Sequence, residues 1–307
     1  MPGFEKAMEA QRERARAASQ FQMDGIASVA IDERTPFTGY ESLNGGSKIL
    51  ALVSNDIEVD SLATEAEGLI VLDETPFYAE SGGQVGDLGR ISWSGGEFQV
   101  TDVRYLAHKV IAHFGRVVSG APKLGDSVEC VVDSNNRSAT AANHSATHLL
   151  HSALREVLGD HVQQKGSMVN AERLRFDFSH GEAVSSADID KIEQIVNHQI
   201  RINSGVNTRV MNIDDAREEG AAALFGERYE DDVRVVGMGE FSLELCGGTH
   251  VSRTGDIGAF RVIAESGIAA GVRRLEALTG EAVRMYSVNE SETLSRISAL
   301  LKTGRSD

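Results

Sequence analysis

The chain is poor in cysteine, in long apolar runs and in positive charge, and each shortage excludes something. Only Cys130 and Cys246 are present among 307 residues. Two cysteines make no disulfide framework and suit a reducing compartment. No run of about 18 apolar residues occurs, which excludes an ordinary membrane helix and any membrane partner that such a helix would imply. The N-terminus is polar and charged, with no secretory signal. The expected location is therefore cytoplasmic. With 30 basic against 46 acidic residues, the net charge is -16. A protein that grips nucleic acid non-specifically is normally basic. The acidity argues against strong autonomous RNA binding. It leaves room for a nucleic-acid substrate reached through local basic patches or another domain. The chain is 41% apolar, enough for a real core, and its length suits two compact domains.

The pattern along the chain predicts an α+β protein: a small N-terminal β-barrel, then an α+β core, with helical linkers at both ends. Residues 1–20, rich in Ala, Glu and Arg, read as a solvated linker helix. Residues 21–133 carry short β-prone stretches at Ile26–Ile31, Lys48–Leu52, Gly68–Leu72, Arg90–Trp93, Phe98–Val103 and Ser127–Val132, separated by turn residues. From Asp133 a helical pattern runs to Gly159, a natural stop. A second helix is expected after Ser185 and Ser186, with Asp188 completing a capping box, and a third over Asp214–Leu224. Strands return at Val233–Val236, Phe241–Leu245, Ala259–Ala264 and Val272–Leu278. Residues 134–280 form the expected core, and 281–307 the start of a further helix.

The chemistry lies in two pairs of residues. His144 and His148 are four apart, one turn of a helix, close enough to share a metal. At about 100° per residue, His144, His148 and His151 fall within roughly 60° of arc. Ala146, Leu149, Leu150, Ala153, Leu154 and Val157 lie nearly opposite, so the apolar stripe is expected to pack on a sheet while the histidines face outward into a cleft. Cys246-Gly247-Gly248-Thr249-His250 follows a β-prone run, and its two glycines are expected to permit a tight turn. Nitrogen and sulfur donors of this kind suit zinc. His151, one turn beyond His148, is expected either to support the ligands from behind or, the favoured reading, to be merely exposed, and His108, His113, His161, His180 and His198 to be non-ligands. Cys130 reads as a small core residue.

These residues carry a resemblance. HSATHLLHSAL, HVQQKGSMV, LRFDFSH, LCGGTHVSRTGDIG and AGVRRLEALTG resemble the editing domain of bacterial alanyl-tRNA synthetases. FYAESGGQVGDLG resembles the glycine-rich motif of the same enzymes. The likeness runs from about Ala17 to about Gly280. It implies an aminoacyl-tRNA deacylase that hydrolyses Ser-tRNA(Ala) and Gly-tRNA(Ala) at a zinc held by His144, His148, Cys246 and His250. The partners implied are the tRNA(Ala) acceptor end and other domains of the same synthetase. ATP would serve only the aminoacylation domain, which this chain has no room for, so a fragment of a longer synthetase is expected. Beside the resemblance, Gln164 is expected to line the pocket and, with Cys246, to be catalytic. Glu80, Ser81, Gly82, Gly83 and Gln84 are expected to form a turn whose backbone N–H groups approach the substrate. Arg273 is the expected phosphate or substrate contact, and Asp177 in RFDF is either an acid/base or, the favoured reading, a structural hydrogen-bonder. A zinc-stabilised tRNA-binding module without catalysis is the alternative.

Overall fold

The computed structural model describes residues 34–106, 109–222 and 230–302. The expected helix at 1–20, the expected strand at Ile26–Ile31 and His108 lie outside these residues. The chain divides into two compact units. One comprises residues through Glu80 and Gly86–Ser134; the other comprises Ser81–Val85 and Asn135 onward.

The first unit is a closed six-stranded barrel. Strands β1 (Asn44–Ser54), β3 (Glu67–Leu72), β6 (Ile111–Ser119), β5 (Gly96–Tyr105), β4 (Gly89–Trp93) and β7 (Ser127–Val132) follow one another around it, and β7 pairs back onto β1. A short β2 (Ile57–Glu58) extends β1 as a hairpin. Closure leaves none of the six with an unpaired edge. Ile49, Leu52, Ile70, Leu72, Phe98 and Val100 fill the interior with Cys130. Ile49 and Leu52 are three apart, which strict alternation would put on opposite faces. A register shift between Ile49 and Ala51 turns both inward. Sequence reading missed β6 because His113 and Gly115 interrupt its apolar pattern. Yet the interior accepts His113: its ring lies 2.8 Å from Thr75 Oγ1 and 2.9 Å from the Ile70 carbonyl.

The second unit is the α+β part. Helix α1 (Ser134–Leu158) presents Ala146, Leu149, Leu150, Ala153 and Leu154 to a core shared with Leu174, Phe176, Phe178, Leu275 and Ala277. Those partners come from a four-stranded sheet of β13 (Phe260–Ala269), β14 (Val272–Thr279), β9 (Leu174–Ser179) and β8 (Gln164–Val169), in that order. Helix α2 (Ser186–Ile202) adds Ile192, Val196 and Ile200. Its cap is the expected one, with the Ser185 side chain accepting from the Asp188 N–H. A second sheet orders β10 (Val206–Asn212), β11 (Asp232–Met238) and β12 (Ser242–Leu245). Helix α3 (Ile213–Glu218) is shorter than expected: Ala222 already bridges to Glu244 in extended form. Helix α4 (Gly280–Leu301) buries no side chain. Among the described residues, no helix is long and apolar enough to cross a membrane.

Burial makes one consequence measurable. The barrel interior pushes His113 down to about 4 from an ordinary 6.5, with the Ile70 carbonyl opposing. Between those pH values the unfolded chain takes up a proton that the folded barrel refuses. Barrel stability therefore rises with pH from 4 to 6.5 and gains nothing further from this group above that. The slope from His113 is about 1.4 kcal/mol per pH unit, or about 3 kcal/mol across the window. Urea unfolding followed by fluorescence of Trp93, the single tryptophan, should show this slope in the native chain and lose it in His113→Asn. Equal slopes would refute it.

Candidate metal centre

Helix α1 and the turn after β12 meet at four side chains. One donor atom each from His144, His148, Cys246 and His250 lies within 4.8 Å of all the others. The Cys246 sulfur is 3.5 Å from His144 Nε2 and 3.3 Å from His250 Nε2. His148 Nε2 and His151 Nε2 are both buried without a hydrogen-bond partner, but only that of His148 belongs to the converging group. A buried nitrogen of this kind is costly unless something occupies it. Three imidazoles and one thiol suit zinc, so the residues present fit the ion.

What holds the rings is more informative than the rings themselves. Each histidine turns Nε2 inward, and a different group meets its outer nitrogen. For His144 that group is Gln84, whose Oε1 lies 2.7 Å from Nδ1. The same Oε1 accepts the Thr249 backbone N–H at 2.9 Å, and the Gln84 amide nitrogen donates to Thr249 Oγ1 at 2.8 Å. A backbone N–H can only donate, so Oε1 is the carbonyl end and His144 must carry its hydrogen on Nδ1. Glu244 meets His148 Nδ1 at 2.5 Å and His151 Nδ1 at 2.8 Å. Ser145 Oγ meets His250 Nδ1 at 3.1 Å while accepting the Val251 N–H.

Charge follows the same geometry. Burial raises the Cys246 thiol, but the imidazoles of His144, His250 and His148 outweigh it and hold the group well below its ordinary range. Glu244 is likewise raised by burial and then pulled down to about 2, chiefly by His148. Burial keeps His250 neutral, with a value near 3. The turn is clamped from below by Arg234, which donates to the carbonyls of Cys246 and Gly248 at 2.9 and 2.8 Å.

Several expectations need correction. The histidines do not face an open cleft: His144, His148 and His151 are all buried, because β12 and its following turn cover that side of α1. His151 is not merely exposed but bonded to Glu244. Gln84, expected at the substrate, is completely buried and spends its amide on His144 and Thr249. The turn containing it is a two-residue hairpin in which Ser81 and Gln84 exchange backbone bonds, with Gly82 and Gly83 both at positive φ. The backbone N–H groups of Glu80, Ser81, Gln84 and Val85 all bond to protein carbonyls. A side chain at Gly83 would also strike Ser167. Arg273 is committed to Glu265 through two bonds of 2.6 Å, and Arg274 is similarly paired with Asp177. Both guanidiniums are thus engaged with carboxylates through paired bonds. Gln164 is half-buried, with its amide 3.3 Å from Ser167 Oγ, and is not one of the four converging residues. Sequence reading missed Glu244, Ser145 and Arg234. The only available signal for the first was an acidic residue two before the cysteine.

Residues 1–136 match the family model of class II (A) tRNA synthetases, and residues 233–276 match that of the threonyl and alanyl tRNA synthetase second additional domain. The alanine–tRNA ligases of Idiomarina loihiensis and Shewanella loihica are each 52% identical to the chain over 98% of it. The chain is homologous to alanine–tRNA ligases over nearly its whole length. It spans about a third of the length of those relatives, 35% and 34% respectively. The second of the two matched segments contains β12 and the Cys246–His250 turn.

The turn gives a sharp asymmetry. Neither Gly247 nor Gly248 adopts positive φ, so the expected conformational reason for them is absent. A Cβ at Gly248 would overlap the His144 ring and lie 2.9 Å from Gln84 Oε1, whereas one at Gly247 meets nothing. Gly248→Ala should therefore lower zinc per chain, measured by elemental analysis, and Gly247→Ala should leave it unchanged. Equal zinc content in the two variants would contradict this account of the turn.

Proposed function

We propose that the chain is the proofreading part of an alanine–tRNA ligase: a zinc-dependent deacylase that hydrolyses the ester of Ser-tRNA(Ala) and Gly-tRNA(Ala). The observation that carries the reading is the convergence of His144, His148, Cys246 and His250 in a chain homologous to these ligases. The need is physical. Glycine lacks a methyl that alanine has, and serine merely adds a hydroxyl. One binding pocket discriminates poorly in both cases, so a second hydrolytic site is required. On this reading the enzyme works in the cytoplasm. Its partners are the tRNA(Ala) acceptor end and the ligase's other domains, among which the aminoacylation domain alone uses ATP.

Hydrolysis adds water across the ester: the bond between the acyl carbon and the ribose oxygen breaks, releasing the amino acid and a tRNA hydroxyl. Bound zinc would supply a Lewis acid for the carbonyl, or a water of lowered pKa. The protein's own part is orientation. Gln84, Glu244 and Ser145 hold the three rings with Nε2 inward. His144 and His148 are buried whereas Cys246 and His250 are only partly so, which makes the Cys246–His250 side the approach for an aminoacyl group. Gln164, whose amide is held by Ser167, is proposed to contact the aminoacyl group.

A closed set of four protein ligands also characterises structural zinc. That observation favours the second reading, a zinc-stabilised tRNA-binding module without catalysis. Deacylation of Ser-tRNA(Ala) separates the two. The zinc-loaded chain should release serine, Cys246→Ala should lose activity by orders of magnitude, and Gln164→Ala should slow release without altering zinc content. A folded, zinc-loaded chain that leaves the ester intact would establish the module reading instead.

A further inference from the structure

We infer that Glu244 is a positioning residue of the metal centre, using one carboxylate oxygen to fix His148 and the other to tie that ring to His151. The inference rests on the metal reading above and extends it to a residue outside the ligand set.

Spacing on the two elements makes the arrangement. Along extended chain, residues two apart project to the same side. Glu244 and Cys246 are so related, and both meet α1. Along α1, His144, His148 and His151 share one face in successive turns. The thiol therefore falls among the first two rings, and the carboxylate, one strand step away, falls between the last two. Glu244 Oε2 lies 2.5 Å from His148 Nδ1 and Oε1 lies 2.8 Å from His151 Nδ1. The carboxylate is almost wholly buried, a costly place for a charge unless it is paired through both oxygens. The His151 ring is backed by Phe176, with centroids 5.3 Å apart. It thus steadies the carboxylate from the side away from the cluster.

An ionised carboxylate accepts and cannot donate. Both imidazoles must then carry hydrogen on Nδ1, and His148 Nε2 is the nitrogen offered to the metal. This assignment agrees with the lack of any hydrogen-bond partner on His148 Nε2. His250 differs. Its outer partner is the Ser145 hydroxyl, which can give or take a hydrogen, so nothing comparable fixes its tautomer.

Two measurements test the inference. In Glu244→Gln the amide keeps the size but must turn its NH2 end toward one imidazole, forcing that ring to change tautomer or lose its bond. Zinc affinity by chelator competition should fall about 10- to 100-fold. The cobalt-substituted protein should keep its thiolate-to-metal band from Cys246 while its ligand-field bands shift. Glu244→Asp, which still accepts but is one methylene shorter, should recover part of the affinity. Unchanged affinity and spectra in folded Glu244→Gln would overturn the inference while leaving zinc binding itself intact. Absence of zinc binding by the native chain would remove both. Should the variants fail to fold, long-range 1H–15N spectra of the native zinc-loaded chain decide the matter: Nδ1–H on His148 and His151 is expected, and Nε2–H on His148 would overturn it.

Discussion

The second unit is organised around a conflict: two buried imidazoles, a third that is partly buried and a partly buried thiol lie side by side, where each unpaired buried nitrogen costs on the order of 1–3 kcal/mol. The conflict is resolved by dividing each ring in two. The outer nitrogen is met by a protein group, Gln84, Glu244 or Ser145, and the inner one is left to the centre. The surroundings follow from this division. Gln84 must be inside, so the turn that carries it must be tight. Gly248 must have no side chain, because the His144 ring occupies the space. Arg234 must hold the carbonyls of the turn, because the turn's own residues are occupied with the rings.

How much of this could be read from the residues depends on whether the signal was local. The four converging residues were legible because helix periodicity and a Cys-x-x-x-His spacing are local. The helix caps at Ser185 and Gly159 were legible for the same reason. The barrel was legible from short β-prone stretches, except β6, where a buried histidine disguises a core strand. The groups that orient the ligands were not legible. Gln84 and His144 are sixty residues apart in the chain, and nothing in SGGQ says that its glutamine turns inward. Glu244 looks like any solvent-facing glutamate in an alternating strand until α1 is packed against it. Arg273 shows the reverse case. Strand alternation correctly separates it from Arg274, but it cannot reveal that Glu265 on the neighbouring strand already answers its charge.

The acidity of the chain fits the same separation of tasks. Most guanidiniums near the four-stranded sheet are paired: Arg173 with Glu276, Arg273 with Glu265, Arg274 with Asp177. Such pairs set the register of side chains on the sheet and leave little positive potential for a phosphate backbone. A proofreading unit that met tRNA only as part of a larger ligase would not need that potential. Its specificity would lie in the few ångströms around the ester, and electrostatic capture of the polyanion would lie elsewhere.

This leaves the number of ligands as the central mechanistic question, and the asymmetry among the outer contacts bears on it. A hydrolytic zinc keeps one position open, whereas four protein ligands close it. His144 and His148 are held by acceptors that admit one tautomer only, and both are deeply buried. His250 is held by a hydroxyl that admits either, lies on the more accessible side, and follows a turn rather than sitting within a helix. A ligand that must yield to substrate needs a low cost of leaving, and a partner that can donate or accept supplies it, because the released ring still finds a hydrogen bond. On the zinc reading, the geometry would grade the four candidates: two rigidly held histidines and a cysteine that would define the centre, and one histidine whose departure would open it.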